Sequence, residues 1–89
     1  MVEETLEITN RLGLHARAAA KLVHTAGAFG STVMLEKGGD LVDAKSILGL
    51  LQLGAAQGTV VTIRCTGGDE DEALAAVVSL IEDRFGEGS

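Results

Sequence analysis

The segment Gly13-Leu14-His15-Ala16-Arg17 combines an imidazole with a nearby guanidinium. A neutral imidazole nitrogen is a nucleophile near neutral pH, and a guanidinium is a permanent, fork-shaped cation that binds anionic oxygens. These residue types in this order favour a phosphohistidine. His15 would accept the phosphoryl group, and Arg17 would stabilise it once attached.

A helix predicted directly after His15 would add hydrogen-bond donors to this site. Gly13 can turn the chain sharply before it. Apolar residues then recur at the spacing of one helix face: Ala16, Ala19, Leu22, Val23 and Ala26. His15 therefore falls at or near the N-cap. The first amides of a helix lack internal partners and carry the positive end of its dipole, so they would face an anion held by His15.

A strand and a hairpin flank this helix in the sequence. Three apolar residues alternate with polar ones in the first strand: Val2, Leu6 and Ile8. The segment 10–13 breaks this strand, and glycines within 27–30 are expected to end the helix. A second strand over 31–37 and a third over 41–44 are joined by Gly38-Gly39, which suits a tight turn.

The second half begins with a short predicted helix and a fourth strand. Ser46 precedes an apolar segment and is a candidate N-cap, and Gly54 is expected to end that helix. Residues 59–66 are rich in β-branched side chains, which favour strands. Three side chains share the predicted buried face of this strand: Val61, Ile63 and Cys65.

A third helix is predicted near the C-terminal end of the sequence. Asp69 and Glu72 have the spacing of a capping box, and Gly86 is a plausible stop. Its apolar stripe consists of Leu74, Val77, Val78 and Ile81. The order β-α-β-β-α-β-α predicts a small α+β fold with helices on one face of the sheet and solvent on the other.

Length, charge and cysteine content indicate which classes of protein the chain can belong to. Eighty-nine residues suit a single domain over 1–89, and the formal net charge of −6 argues against a broad nucleic-acid surface. The single Cys65 cannot form an internal disulfide and is interpreted as a core residue in a reducing compartment. The start at Met1 lacks a signal-type segment, and no stretch is long enough to insert into a membrane, so the cytoplasm is the expected location.

Metal binding is not expected. His15 and His24 lie in the same predicted helix without cysteine or clustered carboxylate partners, so they do not form a ligand set. His24 falls beside the apolar stripe and is interpreted as a solvated side chain. The acidic segment 69–72 is interpreted as favourable charge at a helix N-terminus.

Three motifs together resemble the HPr family, the phosphocarriers of the bacterial phosphotransferase system. They are Gly-Leu-His-Ala-Arg at 13–17, Lys-Ser-Ile-Leu-Gly-Leu-Leu at 45–51 and Gln-Gly-Thr-Val-Val-Thr-Ile at 57–63. The resemblance covers essentially the whole chain. This sequence departs from the family at Ala18, where proline is usual, and at His24 and Gly27, where several members carry lysine.

The resemblance implies an open-faced β-sandwich, with a four-stranded antiparallel sheet and three helices on one face. It also implies a phosphocarrier rather than an enzyme, which accepts a phosphoryl group on His15 from Enzyme I and passes it to sugar-specific IIA proteins. No cofactor is expected, and a monomer is the expected state. The partners are expected to dock on an exposed apolar surface beside His15, formed by Ile47, Leu48, Leu51, Ala16 and Ala20.

Ser46 supports a second hypothesis. In some members of the family that the sequence resembles, a dedicated serine kinase/phosphorylase modifies this residue and throttles transfer to the histidine. The chain could then be a regulatory interaction module controlled by phosphorylation of Ser46. A third hypothesis, an enzyme or small-ligand sensor on the same fold, follows from the rule that fold does not fix function. No second catalytic group supports that third hypothesis, and His15 with Arg17 favours the carrier.

Overall fold

One antiparallel sheet organises the molecule. The computed structural model describes residues 1–89. Its strands are β1 (Val2–Glu7), β2 (Thr32–Lys37), β3 (Asp40–Asp43) and β4 (Val60–Thr66). They lie in the order β1-β4-β2-β3, so β4 pairs with both β1 and β2 at the centre. The positive φ angles of Gly38 and Gly39 form the tight turn between β2 and β3.

Three helices complete the fold. They are α1 (Ala16–Gly27), α2 (Ile47–Leu53) and α3 (Glu70–Glu82), followed by a short 3-10 turn at Arg84–Gly86. The predicted order β-α-β-β-α-β-α and the open-faced sandwich are therefore confirmed. None of these helices combines the length and the apolar character that a membrane crossing requires.

The two faces of the sheet differ as the alternation in β4 predicts. Val61, Ile63 and Cys65 are buried on the face that the helices cover. On the opposite face, Arg64 forms ion pairs with Glu3 of β1 and Glu36 of β2. Cross-strand pairs of opposite charge stabilise neighbouring strands. The helices therefore gather on one side, where the core lies.

The buried faces of α1 and α3 differ in part from the predicted stripes. In α1 the structure buries Ala18 with Ala19, Leu22 and Ala26, whereas Ala16 is exposed and Val23 half-buried. In α3 the fully buried residues are Ala73, Val77 and Ile81. Alanine side chains are short, so they suit positions where a helix packs closely against the core. The predicted stripes omit Ala18 in α1 and Ala73 in α3, which the structure buries completely.

The predicted cap of α2 is confirmed, because the Ser46 hydroxyl accepts a hydrogen bond from the Gly49 amide at 3.1 Å. Gly54 ends this helix in the left-handed conformation, with φ of 65°. Asp69 behaves differently from the predicted capping box, since its side chain makes no hydrogen bond to the start of α3.

Asp69 instead connects α3 to the turn between α1 and β2. Its carboxylate accepts hydrogen bonds from the Gly30 amide at 3.0 Å, the Ser31 amide at 2.9 Å and the Ser31 hydroxyl. The hydrogen bond from the Ser31 hydroxyl, followed by that from Gly30, lowers the pKa of Asp69 below its ordinary value of 3.8. The ionised form of Asp69 therefore stabilises the folded state.

We expect Asp69→Asn to lower the free energy of unfolding at neutral pH, because an amide accepts these three hydrogen bonds less well than a carboxylate. Since folding lowers the pKa, the contribution of Asp69 is present above 3.8 and is lost as the pH falls below that value. Urea unfolding from about pH 7 to about pH 3 should show the difference between the two proteins shrinking.

Asp71→Asn is the matched control, since Asp71 carries the same charge in the same helical turn and is exposed. It should change the unfolding free energy little at any of these pH values. A difference between wild type and Asp69→Asn that stayed constant with pH would contradict the role given to the Asp69 carboxylate.

Candidate functional site

The backbone before α1 is fixed by close contact with a neighbouring loop. Gly13 has φ of +64°, and a Cβ atom there would lie 2.6 Å from the Ala55 carbonyl oxygen and 2.8 Å from the Ala56 Cα. The Leu14 amide donates to that same Ala55 oxygen at 2.8 Å. Glycine is therefore required at position 13 for its conformation and for its small size.

His15 is the N-cap of α1, as the sequence predicts. Its backbone is extended, with φ −74° and ψ 176°, and its side chain makes no capping hydrogen bond. The first bond of the helix runs from the Ala19 amide to the His15 carbonyl oxygen at 2.8 Å. The amides of Ala16, Arg17 and Ala18 precede this bond and have no acceptor within the helix. These donors, at the positive end of the helix dipole, suit an anion.

The His15 side chain instead contacts the C-terminal tail. Its Nε2 atom forms a hydrogen bond with Glu87 Oε2, and both side chains are mostly shielded from solvent. The amide group of Asn10 holds the other carboxylate oxygen, since Asn10 Nδ2 donates to Glu87 Oε1 at 3.1 Å. The hydrogen bond from His15, followed by that from Asn10, lowers the pKa of Glu87 below its ordinary value. Glu87 is therefore held as a carboxylate.

A left-handed turn brings the tail back to His15. Arg84 and Phe85 both have φ of 56°, and Gly86 has φ of 77°. Side chains beyond glycine adopt this region at a cost. Phe85 is completely buried, and Lys21 of α1 donates from Nζ to the Phe85 carbonyl oxygen. Burial of the aromatic ring and this hydrogen bond offset the cost of the turn.

An open cleft of about 520 Å³ lies over this arrangement. It is lined by Arg11, Leu12, His15, Ala16, Arg17, Glu87 and Ser89. The structure thus places the two predicted site residues, His15 and Arg17, on one cleft. Arg11 and Arg17 are both exposed, and neither forms an ion pair with a carboxylate of the chain. Their guanidinium groups are available to an anion in the cleft.

Sequence reasoning missed Arg11 and Glu87. Arg11 precedes His15 closely in the chain, so a search for cations around the predicted N-cap would have found it. Glu87 lies 72 residues from His15, and no local pattern signals that contact.

The predicted docking residues lie outside the cleft lining, except Ala16. Ile47, Leu48 and Leu51 on α2 are 44%, 63% and 40% exposed. Ala16 and Ala20 are exposed on α1, which packs against α2. Ser46 is half-buried at the start of α2 and does not line the cleft.

The remaining sequence predictions concern metal and thiol chemistry. His24 is exposed on α1, and the structure brings together no group of three or more His, Cys, Asp or Glu side chains that could hold a metal ion. Cys65 is buried, as predicted. Burial, followed by the charges of Glu70 and Asp69, raises the pKa of the Cys65 thiol, which disfavours the reactive thiolate.

Comparisons with known proteins find relatives over nearly the whole chain. The family model described as "PTS HPr component phosphorylation site" matches residues 2–83. Phosphocarrier protein HPr of Cupriavidus necator is 50% identical over 88 residues, which cover 99% of each chain. The crystal structure of HPr-C-His from Thermoanaerobacter tengcongensis superposes with a TM-score of 0.97 at 50% identity, covering 100% of each chain.

A second crystal structure from Thermoanaerobacter tengcongensis, of an HPr dimer, matches with a TM-score of 0.79 at 52% identity. It covers 98% of this chain and 100% of that chain.

The geometry before α1 predicts an unequal response to alanine at two glycines. Gly13→Ala should lower the unfolding free energy by more than the roughly 1–2 kcal/mol of a left-handed alanine, because its Cβ would also overlap the loop at Ala55. Gly38→Ala is the control, since Gly38 has φ +56° and no atom within 4 Å of the added Cβ. Denaturant unfolding measures both losses, and equal losses would contradict a close contact at Gly13.

Proposed function

The chain belongs to the HPr family of phosphocarriers of the phosphotransferase system, and we propose that it carries the phosphoryl group on His15. The position of His15 at the N-cap carries this proposal, because the amides of Ala16, Arg17 and Ala18 lie beside it without helical acceptors. These amides can bind the phosphoryl oxygens. Phosphorylated Enzyme I is the proposed donor, and sugar-specific IIA proteins are the proposed acceptors.

The contact with Glu87 leaves one ring nitrogen of His15 for the reaction. Nε2 is bound to Glu87, so Nδ1 is the nitrogen that can attack phosphorus. Its lone pair would form the new bond while the bond between phosphorus and the donor breaks. The chain supplies the nucleophile and the donors around it, and the partner supplies the leaving group.

Arg17 is the proposed stabiliser of the phosphoryl group. It lies on the same cleft as His15, and it is free of ion pairs. A guanidinium binds phosphoryl oxygens through two parallel hydrogen bonds, which are stronger than bonds between neutral groups. Arg11 adds a second cation on the other side of His15 in the sequence and has the same electrostatic effect.

The docking surface is proposed to consist of Ile47, Leu48, Leu51, Ala16 and Ala20. The three α2 side chains are large, apolar and exposed, which is typical of surfaces that partners cover. Leu12 extends this surface to the cleft, because it is 66% exposed and lines the cleft directly. A partner bound there would cover the entrance to His15.

Regulation at Ser46 remains the second candidate function. Ser46 caps α2 directly before Ile47 and Leu48, so a phosphate there would add negative charge to the edge of the docking surface. A serine kinase/phosphorylase would be the partner in that case. The expected monomer and the expected cytoplasmic location stay predictions for this chain.

The phosphoryl site is tested with phosphoenolpyruvate and Enzyme I. We expect one acid-labile phosphoryl group on His15 and none on His15→Ala, while His24→Ala, which removes the exposed second histidine, labels normally. Arg17→Ala should keep the fold and slow transfer, since a charge-assisted hydrogen bond contributes about 1.5–3 kcal/mol. Unchanged labelling of His15→Ala would refute the assignment, and wild-type transfer rates in Arg17→Ala would remove Arg17 from the site.

The docking surface is tested at Ser46. We expect Ser46→Asp to retain thermal stability, because aspartate also caps helices and its charge suits the dipole, whereas Ser46→Ala should lose about 1 kcal/mol. Ser46→Asp should bind Enzyme I more weakly, because its charge opposes burial of Ile47 and Leu48, and Ser46→Ala should bind normally. Equal affinity of both variants, measured by calorimetry, would contradict docking on α2.

A further inference from the structure

Glu87 contacts the ring nitrogen of His15 that is not the proposed phosphoryl acceptor. Its Oε2 atom contacts His15 Nε2, while its Oε1 atom accepts from Asn10 Nδ2 at 3.1 Å. Asn10 is completely buried, and the same Nδ2 donates to the Gly13 carbonyl oxygen at 2.7 Å. The carboxylate is thus held between a fixed amide and the imidazole.

This arrangement determines where the neutral imidazole of His15 carries its proton. A carboxylate can only accept hydrogen bonds, so the ring nitrogen that faces Glu87 must be the donor. The proton then lies on Nε2, and the lone pair lies on Nδ1. We propose that Glu87 is a positioning residue that holds His15 in the Nε2–H tautomer and so directs phosphoryl transfer to Nδ1.

The proposal rests on the proposed function and completes its transfer step. The Nδ1 lone pair bonds to the phosphorus of a phosphorylated donor protein, and the electron pair of the breaking bond returns to that donor. No proton leaves His15. The ring becomes positively charged while Nε2 keeps its hydrogen, and the Glu87 carboxylate balances this charge. The return transfer reverses the same steps, because the Nε2 proton stays in place throughout.

Several contacts keep Glu87 at this position. The Glu87 amide donates to the Arg84 carbonyl oxygen at 2.9 Å, and the preceding Phe85 is fully buried. The carboxyl side chain is 17% exposed and the imidazole 26% exposed. A polar contact between two freely exposed side chains contributes little, whereas this hydrogen bond is shielded and its carboxylate is fixed by a second hydrogen bond from Asn10.

Asn10 makes the Glu87→Gln variant informative. A glutamine at position 87 has one oxygen and one amide nitrogen, and Asn10 Nδ2 would attract the oxygen because it is a donor. The glutamine amide nitrogen would then face His15 Nε2 and donate to it. That contact favours a proton on Nδ1, which blocks the attacking lone pair. Glu87→Ala has no such effect and leaves both tautomers accessible.

The test measures the tautomer and the transfer rate separately. Ring ¹⁵N shifts of His15, at a pH where the imidazole is neutral, should show the proton on Nε2 in wild type and more on Nδ1 in Glu87→Gln. Phosphoryl transfer from Enzyme I should be slower in Glu87→Gln than in Glu87→Ala by about tenfold, the effect of one misplaced hydrogen bond. Glu82→Gln removes the same charge at an exposed position and should match wild type in both measurements.

The outcomes distinguish this proposal from the function on which it rests. A purely structural role for Glu87 would make the isosteric glutamine milder than alanine, so transfer in Glu87→Gln as fast as in Glu87→Ala would overturn the proposal. An unchanged His15 ¹⁵N spectrum in Glu87→Gln would also overturn it. Failure of wild-type His15 to accept phosphoryl would instead refute the proposed function, because the tautomer is read without any donor.

Discussion

The arrangement around His15 depends on one buried amide. Asn10 Nδ2 donates to the Gly13 carbonyl oxygen and to Glu87 Oε1, so a single side chain joins the loop before α1 to the C-terminal tail. Asn10 Oδ1 is buried without a partner. The reversed amide would place Oδ1 against two acceptor oxygens and lose both hydrogen bonds. Leaving one oxygen unpaired is the less costly arrangement, since each lost bond to a buried group costs about 1–3 kcal/mol.

Local sequence patterns were sufficient for most of the fold. Alternation in β4 predicted its buried face, Gly38-Gly39 predicted the hairpin turn, and Ser46 predicted the start of α2. The glycine before His15 and the apolar spacing after it predicted His15 at the N-cap of α1. Each of these features depends on residues within a few positions of one another. Short-range conformational preferences and burial of one face determine these features, so the local sequence is enough to predict them.

The features that the sequence did not predict depend on contacts between distant segments. Asp69 matches a capping box locally, but three donors at Gly30 and Ser31 bind its carboxylate instead. Nothing near Phe85 in the sequence predicts its burial, although the left-handed turn makes it one of the most buried side chains. In both cases a tertiary partner outweighs the local preference. The same reason explains why Glu87 could not be associated with His15.

Positive and negative charges both lie near His15, and this balance suits a phosphoryl group that must be accepted and then released. Under the proposed function, the helix amides without acceptors and the cations of Arg11 and Arg17 would attract a phosphoryl group, while the carboxylate of Glu87 contacts Nε2 of the ring. Ala18 keeps an amide that a proline at this position would lack, and under the proposed function this amide would be one more donor to the phosphoryl oxygens. A carrier must hold its cargo and also release it, so attraction alone would trap the phosphoryl group. In the role proposed for Glu87, its negative charge would limit that attraction, and the proton that it holds on Nε2 would let His15 leave as a neutral imidazole.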